Sequence, residues 1–310
     1  MGKIDASLIL PKTDGDITYQ IQGNMCFETL ALCNMKLDFE TCTFLDDIRY
    51  IDSIAENVKV IFTTPILAEK LPENKYGFIL TERPRVLFFK FHNMLAGNSY
   101  YIRNEYKTEI SSNARISSLA YISKNNVMIE DGVVIEPFVT IYPNVHIGEN
   151  TVVRSGCRIG GEGFEFKKEE NSIIPVKHLG GVEIGSNVEI QNNTCIDKAV
   201  YPWDNTVIGD SVKIDNLVHI GHGVKVANNT MIVANSGIGG RTEIGEDVWV
   251  GFASTIRNGL RIENDSRINM GAVVTKGVKN GQAVSGNFAI EHKQFIHHMK
   301  EIIIKGNEYI

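Results

Sequence analysis

The chain of 310 residues carries 31 Lys and Arg against 37 Asp and Glu, a net charge of −6, with 43% hydrophobic and 22% charged residues. That length accommodates two domains, and the acidic balance argues against a protein built to grip nucleic acid, which needs a basic footprint. No apolar run reaches the length of a membrane span, and the start "MGKIDASLIL" lacks the regions of a signal peptide. Five scattered cysteines (Cys26, Cys33, Cys42, Cys157, Cys195) without a CxxC pair suit a reducing compartment rather than a disulfide framework or a metal site, so the expected location is cytoplasmic.

Residues 1–107 show no long period and read as a small α/β domain. In it "KVIFTT" (59–64) and "YGFILT" (76–81) have the apolar runs of buried strands, and "RPRVLFFKFHNMLAG" reads as a helix that begins near a proline and ends near a glycine. From residue 108 the pattern changes. An aliphatic residue returns every sixth position at Ile110, Ile116 and Ile122, slips by one, and resumes at Ile129, Ile135, Ile141, Ile147, Val153 and Ile159. It continues at Ile184, Ile190 and Ile196, then runs from Ile208 through Ile214, Ile220 and Val226 to Val274 without a failed step. Two places earlier lies a small or β-branched residue, as at Thr206, Val212, Ser236 and Thr242.

A six-residue period held this long is the mark of a parallel β-helix, and chance spacing in a sandwich or α/β fold does not sustain it. Each hexapeptide makes one short strand and a turn. Three of them close a triangular coil, and strands of successive coils pair in parallel about 4.8 Å apart. The aliphatic residue points into the prism, and the small one before it lets the chain round the corner. Glycine, Asn and Asp in "IGEN", "IGSN", "IGDS" and "IGED" supply the turn conformations. The expected fold is mainly β: an α/β domain over 1–107, a β-helix over 108–287 and a C-terminal helix over 288–310. The helix is read from Phe288, Phe295, Ile296, Met299, Ile302 and Ile303. Two stretches break the period, "GGEGFEFKKEENSIIPVKHLG" (160–180) and "DKAVYPWDNT" (197–206). Excursions from a solenoid tend to gather on one functional face.

The segments "RIGGEGFEF", "VEIGSNVEIQNNTCIDKAV", "NTVIGDSVKIDNLVHIGHGVKV" and "SGNFAIEHKQF" resemble the UDP-3-O-(3-hydroxyacyl)glucosamine N-acyltransferases of lipid A biosynthesis. "TFLDDIRYI" is similar to that family's uridine-binding segment. The resemblance implies a left-handed parallel β-helix, a homotrimer with active sites between subunits, and no tightly bound cofactor. It implies a thioester donor, acyl-CoA or the phosphopantetheine of acyl carrier protein. It further implies nucleotide contacts at Phe44, Asp47 and Tyr50, with Asp47 standing where the family has Asn, and it makes His222 the general base and Gly240 the oxyanion donor. Departures are Leu260 in place of a second histidine, a longer 197–206 loop, and no methionine near Val274 and Lys276 to bound a groove for a long acyl chain. The stretch "GAVVTKGVKNGQAVSGN" (271–287) resembles instead the hexapeptide transferases that use coenzyme A on sugars of surface polysaccharides.

The residues support this chemistry on their own terms. Aminolysis of a thioester needs a neutral amine, and histidine is the side chain poised to take its proton near neutral pH. With three hexapeptides per coil, His222 stacks beside Gly240 of "SGIGGR", one coil away, so that a base adjoins a backbone N–H able to donate to the oxyanion. Without the motif, a histidine on a solenoid turn is most simply a solvated residue. His219 either orients a substrate or is a satisfied neighbour, and Asp197 and Asp215 are candidates to hold the imidazole tautomer.

Asn216 with Gly161, Gly163 and Phe164 would shape the acceptor pocket, the alternative being a flexible loop. Phe44 and Tyr50 either stack on a base or belong to the core. For the donor, Gly240 and Ala272 would line the pantetheine arm, while Lys276 and Lys279 meet coenzyme A phosphates or form a solvated pair. His297, His298 and Lys300 either dock acyl carrier protein or make a solvated helix face. No metal site is expected, since His219 and His222 lie three apart and the HxxxxH pair of a γ-carbonic anhydrase is missing.

The expected activity is N-acylation of a nucleotide-linked amino sugar from a short acyl-CoA, for surface polysaccharide such as O-antigen or for lipopolysaccharide. The alternative is the lipid A enzyme itself with an acyl-carrier donor, and after that a non-catalytic trimeric scaffold.

Overall fold

The computed structural model describes residues 2–10, 17–72, 74–170, 172–286, 289 and 291–307. Toward the N-terminus a five-stranded sheet runs in the spatial order Gln20–Gln22, Gly77–Leu80, Val58–Thr63, Thr41–Leu45, Thr29–Leu30. The last four strands are parallel, and the first is an antiparallel edge. Val58–Thr63 is buried at five of its six positions, which is why it reads as a continuous apolar run. The helix Pro84–Leu95 starts with its proline in the first turn and buries Leu87, Phe88, Phe91 and Leu95. Phe62 of the sheet lies 5.7 Å, ring to ring, from both Phe88 and Phe91.

The β-helix begins at Glu109–Ile110 and consists of three parallel sheets of eight, eight and nine strands. Ile220 pairs with Ile238 and Ile238 with Ile256, the step of three hexapeptides. The stacked Ile208, Ile214, Ile220, Ile238, Ile256 and Ile268 are no more than 1% exposed. The residue two places earlier is interior as well. Thr230, Ser236 and Thr242 are buried, and their hydroxyls donate to the carbonyls of Gly245 (2.8 Å), Gly251 (3.0 Å) and Gly239 (2.7 Å). A buried hydroxyl left without such a partner costs about 1–3 kcal/mol, so Ser and Thr fit this position because the turn offers an acceptor.

The turns correct one part of the sequence reading. The left-handed residue is the third after the aliphatic one: Asn187, Ser211, Leu217, Asn229, Asn235, Arg241 and Asp247 have φ between 55° and 61°. The glycine directly after the aliphatic residue serves a different purpose. A Cβ on Gly209 would fall 2.5 Å from Asn228 Oδ1 and 2.9 Å from its backbone nitrogen, because successive coils pass too closely there.

Both excursions fold back onto the N-terminal domain. The first contains a hairpin, Phe166–Lys168 paired with Ile173–Pro175. Asn93 Nδ2 donates to the Pro175 carbonyl (2.7 Å), His92 Nε2 lies 2.8 Å from the Lys177 carbonyl, and the Lys167 ammonium sits 4.2 Å from the centre of the Phe89 ring. The second excursion is pinned by Trp203 Nε1 donating to the Leu30 carbonyl (2.8 Å) and by Arg103 donating to the carbonyls of Pro202 and Asp204 (2.7 Å each). Val176, Val200 and Tyr201 join the same apolar cluster as Phe62 and Phe88.

A helix spans His292–Asn307, with Phe295, Ile296 and Met299 partly exposed. Phe288 lies outside the described residues, as do the side chains of Ile302 and Ile303. Among the described residues no helix is long and apolar enough to cross a membrane.

Candidate active site

Strand His219–Ile220 pairs in register with Gly237–Ile238, which sets the turn carrying His222 against the turn carrying Gly240. Arg241 N–H donates to the His222 carbonyl at 2.9 Å. A Cβ on Gly240 would lie 2.8 Å from both Cε1 and Nε2 of the His222 ring, so the glycine leaves just the room the imidazole occupies. Among the described residues the Gly240 N–H donates to no protein acceptor, in contrast to Gly239, whose N–H reaches the Ile256 carbonyl at 2.9 Å. An imidazole and a free peptide N–H therefore share one edge of the prism.

The first excursion brings a residue that sequence reasoning missed. Glu165 Oε2 stands 3.1 Å from His222 Nε2 and 3.3 Å from Arg241 Nη2, and Oε1 contacts the Lys167 ammonium. Burial by itself would raise this carboxyl, but the His222 hydrogen bond together with Arg241 and Lys167 outweighs it and holds the group well below the usual carboxylate range.

His178, from the returning end of the same excursion, is 3% exposed, and its ring lies 5.4 Å from that of His222, edge to face. Its Nδ1 is 3.0 Å from the Val176 carbonyl, while its buried Nε2 has no hydrogen-bond partner among the described residues. Burial, reinforced by the neighbouring His222, pushes His178 down to about 4, so the ring is neutral at pH 7.

Asp197, 8% exposed, opens the second excursion, and burial raises its pKa against the pull of His219 and His222. Its Oδ2 is 3.5 Å from His219 Nε2. Gly163 closes the group. A Cβ there would fall 2.9 Å from Asp197 Oδ2, 3.0 Å from His222 Nδ1 and 3.1 Å from His178 Nε2. Phe164 beside it is 87% exposed.

The other candidates divide. His219 is exposed at the rim, and among the described residues its ring has a polar contact with Asp197 alone. Asp215 does not orient His222, because its oxygens accept from Asn216 and from Ala234 N–H within its own face. Asn216 is likewise engaged, its Oδ1 accepting from Asn192. Ala272 is 3% exposed inside the prism, its N–H donating to the Asn269 carbonyl and its carbonyl accepting from Thr255 N–H. Lys276 and Lys279 are exposed near the last coil.

In the N-terminal domain, Phe44 packs against Phe88 and Phe89, with the Arg85 guanidinium 5.2 Å from its ring centre. Asp47 caps the turn Ile48–Ser53 by accepting from Arg49 N–H, and its Arg49 hydrogen bonds lower it to about 2. Tyr50 is half exposed. Among the described residues no group of three His, Cys, Asp or Glu side chains is arranged to hold a metal ion.

Comparison with known proteins agrees with the coil geometry. The model of the bacterial transferase hexapeptide (six repeats) matches residues 126–161 and 205–240, and that of the hexapeptide repeat of succinyl-transferase matches 241–276. The chain thus carries hexapeptide repeats of the kind that these models describe.

Similar curated proteins include UDP-3-O-acylglucosamine N-acyltransferase 2 of Legionella pneumophila subsp. pneumophila, 51% identical over 72 residues, 23% of this chain and 20% of that protein. The UDP-3-O-acylglucosamine N-acyltransferase of Delftia acidovorans is 48% identical over 64 residues, 21% of this chain and 18% of that one. The matched segment thus spans about a fifth of the length of these relatives. Among solved structures, UDP-N-acetylglucosamine acyltransferase from Campylobacter jejuni shares the fold at a TM-score of 0.50 and 23% identity, over 58% of this chain and 70% of that one.

Proposed function

We propose that this hexapeptide protein is an N-acyltransferase that moves an acyl group from a thioester to the amine of a nucleotide-linked amino sugar, with His222 as general base and the Gly240 N–H as oxyanion donor. The observation that carries the reading is the contact of the His222 ring with the Cα edge of Gly240, whose N–H has no acceptor among the described residues. The base takes the proton of the attacking nitrogen. The amide stabilises the charge that develops on the carbonyl oxygen and later collapses to expel the thiolate.

The relatives matched are named for UDP-3-O-acylglucosamine, which favours an acceptor of that class, and with it the lipid A alternative, over the short acyl-CoA reading ranked first from sequence. Short acyl-CoA stays as the second reading because Lys276 and Lys279 stand exposed, open to the phosphates of coenzyme A. The nucleotide half is assigned to Phe44, Asp47 and Tyr50.

A homotrimer is supported by an exposed apolar stripe. Phe138, Leu217, Phe252, Met270 and Val273 are each 48–66% exposed, on the corners and face that also carry His219. Catalysis at this edge would then lie between subunits.

The test is a panel of UDP- and dTDP-amino sugars against acyl-CoA and acyl-carrier donors of graded length, following free thiol. Turnover confined to one acceptor class and one donor length, lost by about 100-fold or more in His222→Ala, is the expected result. A fully active His222→Ala variant refutes the mechanism.

A further inference from the structure

Glu165, on the loop that leaves the prism after Ile159, has no role in the proposal above, yet it touches the base directly. A carboxylate that is ionised only accepts hydrogen bonds. Lys167 and Arg241 keep this one ionised. The 3.1 Å contact from Oε2 to His222 Nε2 is therefore satisfied only when Nε2 carries the proton. In the neutral ring the lone pair is then on Nδ1.

That nitrogen faces the Gly163 edge, where Asp197 Oδ2 and the unpartnered His178 Nε2 also point. His178 presents a lone pair there too, because its own N–H is at Nδ1, against the Val176 carbonyl.

We propose that Glu165 is a positioning residue: by accepting the His222 Nε2–H across 3.1 Å it fixes the ring so that Nδ1, on the Gly163 side, takes the proton of the acceptor amine. This deepens the N-acyltransferase reading and rests on it.

The proton path follows. The sugar nitrogen attacks the thioester carbon as its proton passes to Nδ1, the ring becomes an imidazolium paired with Glu165, and the proton leaves with the thiolate when the C–S bond breaks. Glu165 stays charged throughout, in the same way that a buried carboxylate steadies the imidazolium of a hydrolase triad.

The deciding measurement is the tautomer of His222, read by 15N NMR on histidine-labelled full-length protein at alkaline pH, the signals assigned by their loss in His222→Ala. The expected wild-type spectrum has Nε2 protonated and Nδ1 bare. Glu165→Ala should erase that preference and lower kcat by about 10- to 100-fold with the acceptor KM little changed. Glu165→Gln keeps the shape of the side chain and should fold like wild type while also losing kcat. A wild-type ring protonated on Nδ1, or an unchanged tautomer in Glu165→Ala, overturns the proposal. Protein inactive with every donor would instead sink the N-acyltransferase reading and leave the tautomer to decide on Glu165.

Discussion

His92 joins the two parts of the molecule, and replacing it by leucine has consequences that can be worked out. The ring is fully buried, Nδ1 lies 2.8 Å from the Tyr101 hydroxyl, and Nε2 lies 2.8 Å from the Lys177 carbonyl. The carbonyl accepts, so Nε2 bears the proton and Nδ1 receives the tyrosine O–H. His92→Leu strands both partners. At about 1–3 kcal/mol for each unsatisfied buried group, less the gain from a more apolar side chain, the net loss should be about 2–4 kcal/mol at pH 7.5.

The pH dependence gives a second magnitude. Burial, which outweighs the backbone hydrogen bond, pushes His92 down to about 4 from an ordinary 6.5. Because the folded value is the lower one, the unfolded chain takes up the proton first. The contribution is complete above about pH 6.5 and is lost as pH falls toward 4, a total of about 3 kcal/mol. His178, also near 4, adds a slope of the same sign that the His92→Leu variant retains. Urea denaturation at pH 7.5 and 4.5, at fixed protein concentration, measures both effects. A variant within about 0.5 kcal/mol of wild type at pH 7.5, or an acid slope equal to that of wild type, would refute the reasoning.

Gly240→Ala should cut turnover by about tenfold or more and also lower the melting temperature, since its Cβ would press on the His222 ring at 2.8 Å and lie 3.0 Å from the His222 carbonyl oxygen. Gly237→Ala, with nothing within 4 Å of the new methyl, is the control expected to keep full activity. Gly209→Ala drives a methyl into the backbone of the next coil and should destabilise by about 1–3 kcal/mol, seen as an earlier thermal transition without a change in the KM of the folded enzyme.

The six-residue period alone determined the prism. An interior of stacked aliphatic residues admits only one inward position per short strand, so Ile208 through Ile268 announce it before any coordinates exist. The same arithmetic brought His222 to Gly240, because in a regular solenoid neighbours in space are a fixed distance apart in sequence. Where the period breaks, that arithmetic stops. Glu165, His178 and Asp197 come from the two excursions, and nothing in "GGEGFEF" or "PVKHLG" states how far each loop returns.

The cue for Glu165 was a carboxylate between Phe164 and Phe166 beside a glycine, a pattern that fits a solvated hairpin equally well. Only docking of the hairpin on the Pro84–Leu95 helix, through Asn93, His92 and Lys167 over Phe89, carries that carboxylate to the ring. The burial of Ala272 has a related reason, since position within a hexapeptide decides whether a side chain faces outward or the core. Repetition encodes the coil locally, whereas the surroundings of the base depend on long-range contacts between loop and domain that no local period carries.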